Sequence, residues 1–301
     1  MPLFATFISG FIFLSFVLWP GSPVSAAITV VDDSGQKITL AQPAQRIVSL
    51  APNITELVFA AGAGDRLVGV SEYSDYPEAA GSIRRIGGGN GLDLEAIVGL
   101  RPDLVIAWQS GNPSRSVTRL LELGLTVFIS EPRHLQDITE SLRRFGRLAG
   151  TDTVAARQIH DFEQRHEQLH GRYSGQEPVS VFYQVWDRPL MTVNGQHLIS
   201  DVIRLCGGRN VFAELPELAP QITIEAVLAA NPEVIVAGSG SEPVAANLEQ
   251  WQRWSGLSAV AHGHVFSIQR ELMVRHTPRI LQGADQLCTL LDRVRVKKSG
   301  Q

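Results

Sequence analysis

Two stretches of this chain repeat each other at a fixed offset of 130 residues. Residues 92–107 (LDLEAIVGLRPDLVIA) and 222–237 (ITIEAVLAANPEVIVA) share Glu-Ala at 95/96 and 225/226, Pro at 102 and 232, an acid at 103 and 233, and Ala at 107 and 237. A solenoid would show shorter periods and at least three copies, so one repeat per half marks two lobes of similar build. Each copy reads as a short amphipathic helix that ends where the residue ahead of Pro must leave the helical region. A continuous apolar run follows (LVIAW, VIVAG), the pattern of a strand buried on both faces of a parallel sheet.

Further strands are expected at residues 46–50, 67–70 and 126–130 in the first half, and at 179–185 and 264–268 in the second. Helices are expected at residues 54–61, 114–123 and 200–205. The class is α/β, with an open, mostly parallel sheet in each lobe. Between the halves, Val154, Ala155, Ile159, Phe162, His166, Leu169 and Tyr173 recur at three- and four-residue steps, which predicts one long connector helix, about 30 Å in length. The expected layout is a leader at 1–27, a first lobe at 28–150, the connector at 151–174 and a second lobe at 175–296. A lone helix between lobes should flex less than the two or three strands of an ordinary hinge.

The leader is read from residues 1–27, which hold no charged side chain, and from the apolar block at 11–19 (FIFLSFVLW), followed by Pro20, Gly21 and a small-residue run ending at Ala26-Ala27. That is the pattern of a secretory signal peptide, although no Lys or Arg precedes the apolar block, so an uncleaved anchor is the alternative. Export makes disulfides permissible, and Cys206 and Cys288 are the two cysteines; the expectation is that they pair, the alternative being two buried thiols. A net charge of -4 gives no basic face for nucleic acid.

Chemistry-bearing motifs are sparse. His166-Glu167-Gln168-Leu169-His170 fits the H-E-x-x-H zinc pattern and would support an exported zinc hydrolase, but the chain turns at Gly171 and no third His follows at metzincin spacing. Exposed positions on the connector's polar face are the expected reading, with His166 packed at its edge and no metal. His262-Gly263-His264 reads as a tight turn into the last strand, and Gly87-Gly88-Gly89-Asn90-Gly91 as a turn lacking the Lys of a phosphate loop. No G-x-S-x-G elbow is present. An exported two-lobed chain without a catalytic grouping is expected to bind a ligand between its lobes, not to act as an enzyme.

The sequence resembles the periplasmic solute-binding proteins for cobalamin, iron siderophores and haem that serve ABC importers. The resemblance is carried by residues 46–63 (RIVSLAPNITELVFAAGA), the doubled E-A segments, 69–77 (GVSEYSDYP), 102–108 (PDLVIAW) with Gly111-Asn112, 205–212 (LCGGRNVF), and Thr277-Pro-Arg-Ile with Gln286-Leu-Cys288. It is nearest to the cobalamin-binding members and implies a corrinoid ligand, an ABC permease partner, a periplasmic monomer and no catalytic cofactor. It implies that Tyr73 and Trp108 line the cleft from the first lobe, with Glu271, Arg275 and, one position out of register, Trp186 from the second. It further implies that Glu95 and Glu225 meet permease arginines; read from the residues alone, each is a first-turn acid favouring its helix dipole. Gly89-Asn90 and Leu218-Ala219 stand where cobalamin binders have Trp, which leaves a haem or siderophore ligand as the alternative.

Overall fold

The computed structural model describes residues 27–88, 91–239 and 244–299, so the leader expected at 1–27, apart from Ala27, and the Gly89-Asn90 departure lie outside the described residues. An opening hairpin, β1 (Ile28–Val31) and β2 (Lys37–Leu40), leads into β3 (Ile47–Ser49), α1 (Pro52–Ala60) and β4 (Leu67–Val70). Then follow the short antiparallel pair β5 (Gly87–Gly88) and β6 (Gly91–Leu92), α2 (Leu94–Gly99), β7 (Leu104–Trp108), α3 (Ser114–Glu122), β8 (Val127–Ser130) and α4 (Leu135–Ala149). The connector is α5 (Asp152–Tyr173). Beyond it come β9 (Val179–Gln184), the pair β10 (Trp186–Asp187) and β11 (Leu190–Met191), α6 (Leu198–Leu205) and β12 (Gly208–Asn210). The chain continues through α7 (Ile224–Ala230), β13 (Val234–Ser239), α8 (Val244–Gln252), α9 (Ser258–Ala261), β14 (Val265–Gln269), α10 (Arg270–Val274) and α11 (Ile280–Ser299).

The duplication is structural as well as sequential. Among the described residues the first lobe carries a parallel sheet of order β4-β3-β7-β8 and the second one of order β12-β9-β13-β14, so the repeated strands β7 and β13 hold equivalent third places. The repeated helices begin alike: Asp93 accepts the amide of Ala96 and Thr223 that of Ala226, each side chain satisfying an otherwise orphaned first-turn donor. They also end alike. Arg101 and Asn231, the residues ahead of Pro, do leave the helical region, but into the left-handed basin, with φ 47° and 40°. Asn tolerates that basin, and its side-chain oxygen there accepts the amide of Ser258, whereas Arg101 carries a cost of about 1 kcal/mol.

Strand residues alternate between two buried faces, as continuous apolar runs require. In the first sheet Val48, Val105 and Ala107 pack beneath α2 and α3. In the second, Phe182 and Ile235 pack with Trp251 and Phe212. The opposite faces, Ile47, Leu104, Ile106 and Phe128 in one lobe and Val179, Val181, Val234 and Val236 in the other, belong to a single core that runs through α4, α5, α6 and α11. Ala155, Ile159, Phe162, Leu169 and Tyr173 of α5 lie inside it, on the stripe read from the sequence.

Cys206, at the end of α6, is joined by a disulfide to Cys288 of α11 across 82 residues. In the chain-entropy model closing such a loop restricts the unfolded chain by about 4 kcal/mol. Replacing both cysteines by serine is expected to lower the unfolding free energy by roughly that amount in denaturant titrations; unchanged stability would show that the crosslink restrains nothing.

Candidate functional site

Ligands of open parallel sheets bind beyond the carboxyl ends of the strands, where loops diverge and backbone groups are left to be satisfied. The residues singled out from the sequence lie there. Tyr73 follows β4, Trp108 closes β7, Trp186 follows β9, and Glu271 and Arg275 follow β14. The structure gathers them around one segment of the second lobe, residues 270–276. Its Arg270 lies 5.2 Å over the ring of Trp186. Its Arg275 donates through Nη2 to the carbonyl of Tyr73 at 3.2 Å. Its His276 meets Trp108 edge to face, with ring centroids 5.8 Å apart. Glu271 is partly exposed on α10 between them.

The aromatic groups are not equivalent. Tyr73 is 77% exposed and sits at φ 62°, a left-handed conformation unusual for a bulky residue. Trp186 is 46% exposed, and its indole N–H donates to the carbonyl of Arg188 at 2.9 Å. Trp108 is more enclosed: Asn112 Oδ1 accepts its backbone amide at 2.7 Å, and Gly111 lies so close to its ring that a Cβ there would stand 1.9 Å from Cε3. Its own N–H is buried and makes no hydrogen bond within the protein.

Arg275 leads to residues the sequence reading missed. Glu56 of α1, only 4% exposed, accepts from Arg275 Nη1 at 2.8 Å, from Thr277 Oγ1 at 3.0 Å, and from Arg279 Nε and Nη2 at 3.0 and 2.6 Å. Asp75 accepts from Arg275 Nη1 at 2.6 Å, and the Arg279 guanidinium covers the ring of Tyr76 at 3.7 Å. Burial works to raise the Asp75 carboxyl, yet the hydrogen bond and charge of Arg275 hold it below its ordinary range. At least 200 residues separate the partners, so no local pattern announces the cluster.

His276 is buried beside His197, ring centroids 5.3 Å apart, where the lobes meet. Burial pushes the His276 imidazole down to about 4; burial and then the neighbouring His276 push His197 to about 3. Both are neutral at neutral pH. On the same seam His134 Nδ1 lies 2.9 Å from Asp201.

The remaining candidates fall elsewhere. Glu95 and Glu225 are exposed in the first turns of α2 and α7. The Glu225 carboxyl is held low by its own backbone amide and the Thr223 hydroxyl. His166 and His170 stack 6.3 Å apart on the connector, lining a cavity of about 380 Å³ with Phe162 and Asp201. His262 and His264 flank Gly263, at φ 69°, in the turn before β14. Among the described residues no three His, Cys, Asp or Glu side chains are grouped to hold a metal ion.

The model of a family described as periplasmic binding protein matches residues 47–272. The vitamin B12-binding protein of Vibrio cholerae is 40% identical over 250 residues, which span 83% of this chain and 90% of that one. That of Yersinia pestis is 37% identical over 267 residues, 88% and 92% of the two chains. The crystal structure of the periplasmic vitamin B12 binding protein BtuF of Vibrio cholerae superposes with TM-score 0.79 at 39% identity, over 84% of this chain and 98% of that one. The apo periplasmic heme-binding protein RhuT of Roseiflexus shares the fold, with TM-score 0.72 at 22% identity, over 83% and 98%.

The buried imidazoles set a pH dependence. In the unfolded chain each protonates near its ordinary 6.5, whereas the folded chain resists until about 4 for His276 and about 3 for His197. The unfolded state therefore binds more protons throughout that window, and stability, complete above 6.5, falls as pH drops towards about 4. Thermal melts are expected to show this decline, and a His276→Gln variant to show a shallower one; equal slopes in the two proteins would remove His276 from the acid response.

Proposed function

We propose that this chain, which belongs to the periplasmic binding protein family, captures a cobalamin-type corrinoid between its lobes and delivers it, chemically unchanged, to the permease of an ABC importer. The observation that carries the reading is the segment 270–276, which touches Tyr73, Trp108 and Trp186 together, in a chain 40% identical to a vitamin B12-binding protein. Exposed aromatic faces suit a broad, rigid macrocycle because they bury much apolar area at small entropic cost. Glu271 and Arg270 supply an acceptor and donors for the amide groups on its rim, with Arg275 beside them. Residues 1–27 direct export to the periplasm, where the mature chain works as a monomer. Glu95 and Glu225 dock on arginines of the permease, setting orientation and association rate more than affinity.

Titration of the mature protein with cyanocobalamin and dicyanocobinamide, followed by tryptophan fluorescence and calorimetry, is expected to give dissociation constants tighter than about 1 µM. Tyr73→Ala and Trp186→Ala should each weaken binding by about tenfold, the worth of one stacked ring. Tight binding of haem or a ferric siderophore, with none of either corrinoid, would replace the ligand. For docking, Glu95→Ala with Glu225→Ala is expected to abolish stimulation of the transporter ATPase while corrinoid affinity stays within about twofold. Loss of affinity in that double variant would withdraw the docking assignment.

A further inference from the structure

We infer that Arg275 is a positioning residue: anchored on Glu56, it holds the Tyr73 turn in shape, so that the exposed ring is presented only while the two lobes are clasped together. Tyr73 occupies the left-handed basin at φ 62°, which is unfavourable for a residue with a side chain and persists only where its surroundings enforce it. Its own lobe ties the flanks, through the Glu72 amide to Gly87 and the Thr55 hydroxyl to Ser74, and the side-chain contacts on Tyr73 and Asp75 themselves come from the other lobe. One guanidinium reaches the Tyr73 carbonyl through Nη2 at 3.2 Å and the Asp75 carboxylate through Nη1 at 2.6 Å, so it grips the turn at both ends. The same Nη1 donates to Glu56 at 2.8 Å, and Glu56 is fixed in turn by Thr277 and Arg279. Arg275 is itself 9% exposed, with these oxygens around it.

Separation of the lobes and release of the Tyr73 turn are therefore one event. A partner that draws the second lobe away from α1 takes Arg275 off Asp75 and the Tyr73 carbonyl, and the left-handed turn relaxes. Resting on the capture-and-delivery reading above, this gives the protein a means of lowering its affinity when it opens. A bound ligand, conversely, meets an aromatic wall already set before it arrives, so less ordering entropy is lost on capture.

The test compares hydrogen exchange in the ligand-free protein with corrinoid affinity, for wild type, Asp75→Asn, Arg275→Lys and Glu56→Gln. The amides of Glu72, Ser74 and Asp75 donate within the protein, to Gly87, Ser71 and Tyr73, so opening of the turn is readable. Asp75→Asn and Arg275→Lys are expected to speed exchange across residues 71–76 by about tenfold and to weaken corrinoid binding at least comparably, while the α5 amides keep their protection. Glu56→Gln should do both more strongly; should it fail to fold, the other two variants decide, since Asp75 has a side chain 66% exposed and its loss leaves the buried pair intact. Unchanged exchange at 71–76 in Asp75→Asn and Arg275→Lys would overturn the inference. Faster exchange in these variants, with no corrinoid bound by wild type, would keep the clasp and remove the ligand.

Discussion

One apolar core, shared by both lobes, fixes how the two sheets face each other. Parallel sheets must be covered on both sides, and in each lobe one cover is local while the other belongs to a common mass threaded by α5. A 22-residue helix about 33 Å long, buried along one stripe in both halves of the molecule, is not a free hinge. The disulfide between α6 and α11 ties the second lobe's share of that core together. The carboxyl ends of both sheets are left as the surface where loops gather and a ligand can be met.

On the cleft side the lobes are joined by buried charge as well as by ring contacts. A carboxylate as buried as Glu56 would be costly alone, and its four donated hydrogen bonds from Arg275, Thr277 and Arg279 offset that cost. Such an arrangement is strict about geometry: the donors satisfy Glu56 only with the second lobe in place. The neighbouring edge-to-face contact of Trp108 with His276, which itself packs on His197, adds two neutral imidazoles to the same seam. The core sets where the lobes pivot, and the polar seam sets where they stop.

What could be read from the sequence was what local periodicity and the duplication encode. The connector was legible from its stripe of Ala155, Ile159, Phe162 and Tyr173, and the two sheets from the runs LVIAW and VIVAG. The opening hairpin and the helices α4 and α11 are not among the expected elements. Tyr73, Trp108 and Trp186 were legible only through resemblance; nothing in their own surroundings separates a cleft aromatic from a packed one. Glu56 was invisible, a first-lobe acid whose partners, Arg275, Thr277 and Arg279, lie at the far end of the chain.

The most direct measurement is a diffraction structure of the mature protein crystallised with cyanocobalamin. The corrin should lie between the lobes, with the rings of Tyr73 and Trp186 against it, rim amides on Glu271 or Arg270, and Arg275 still on Glu56. Density for the corrin anywhere other than against the segment 270–276 would contradict a ligand site between the lobes, however tightly the protein bound it.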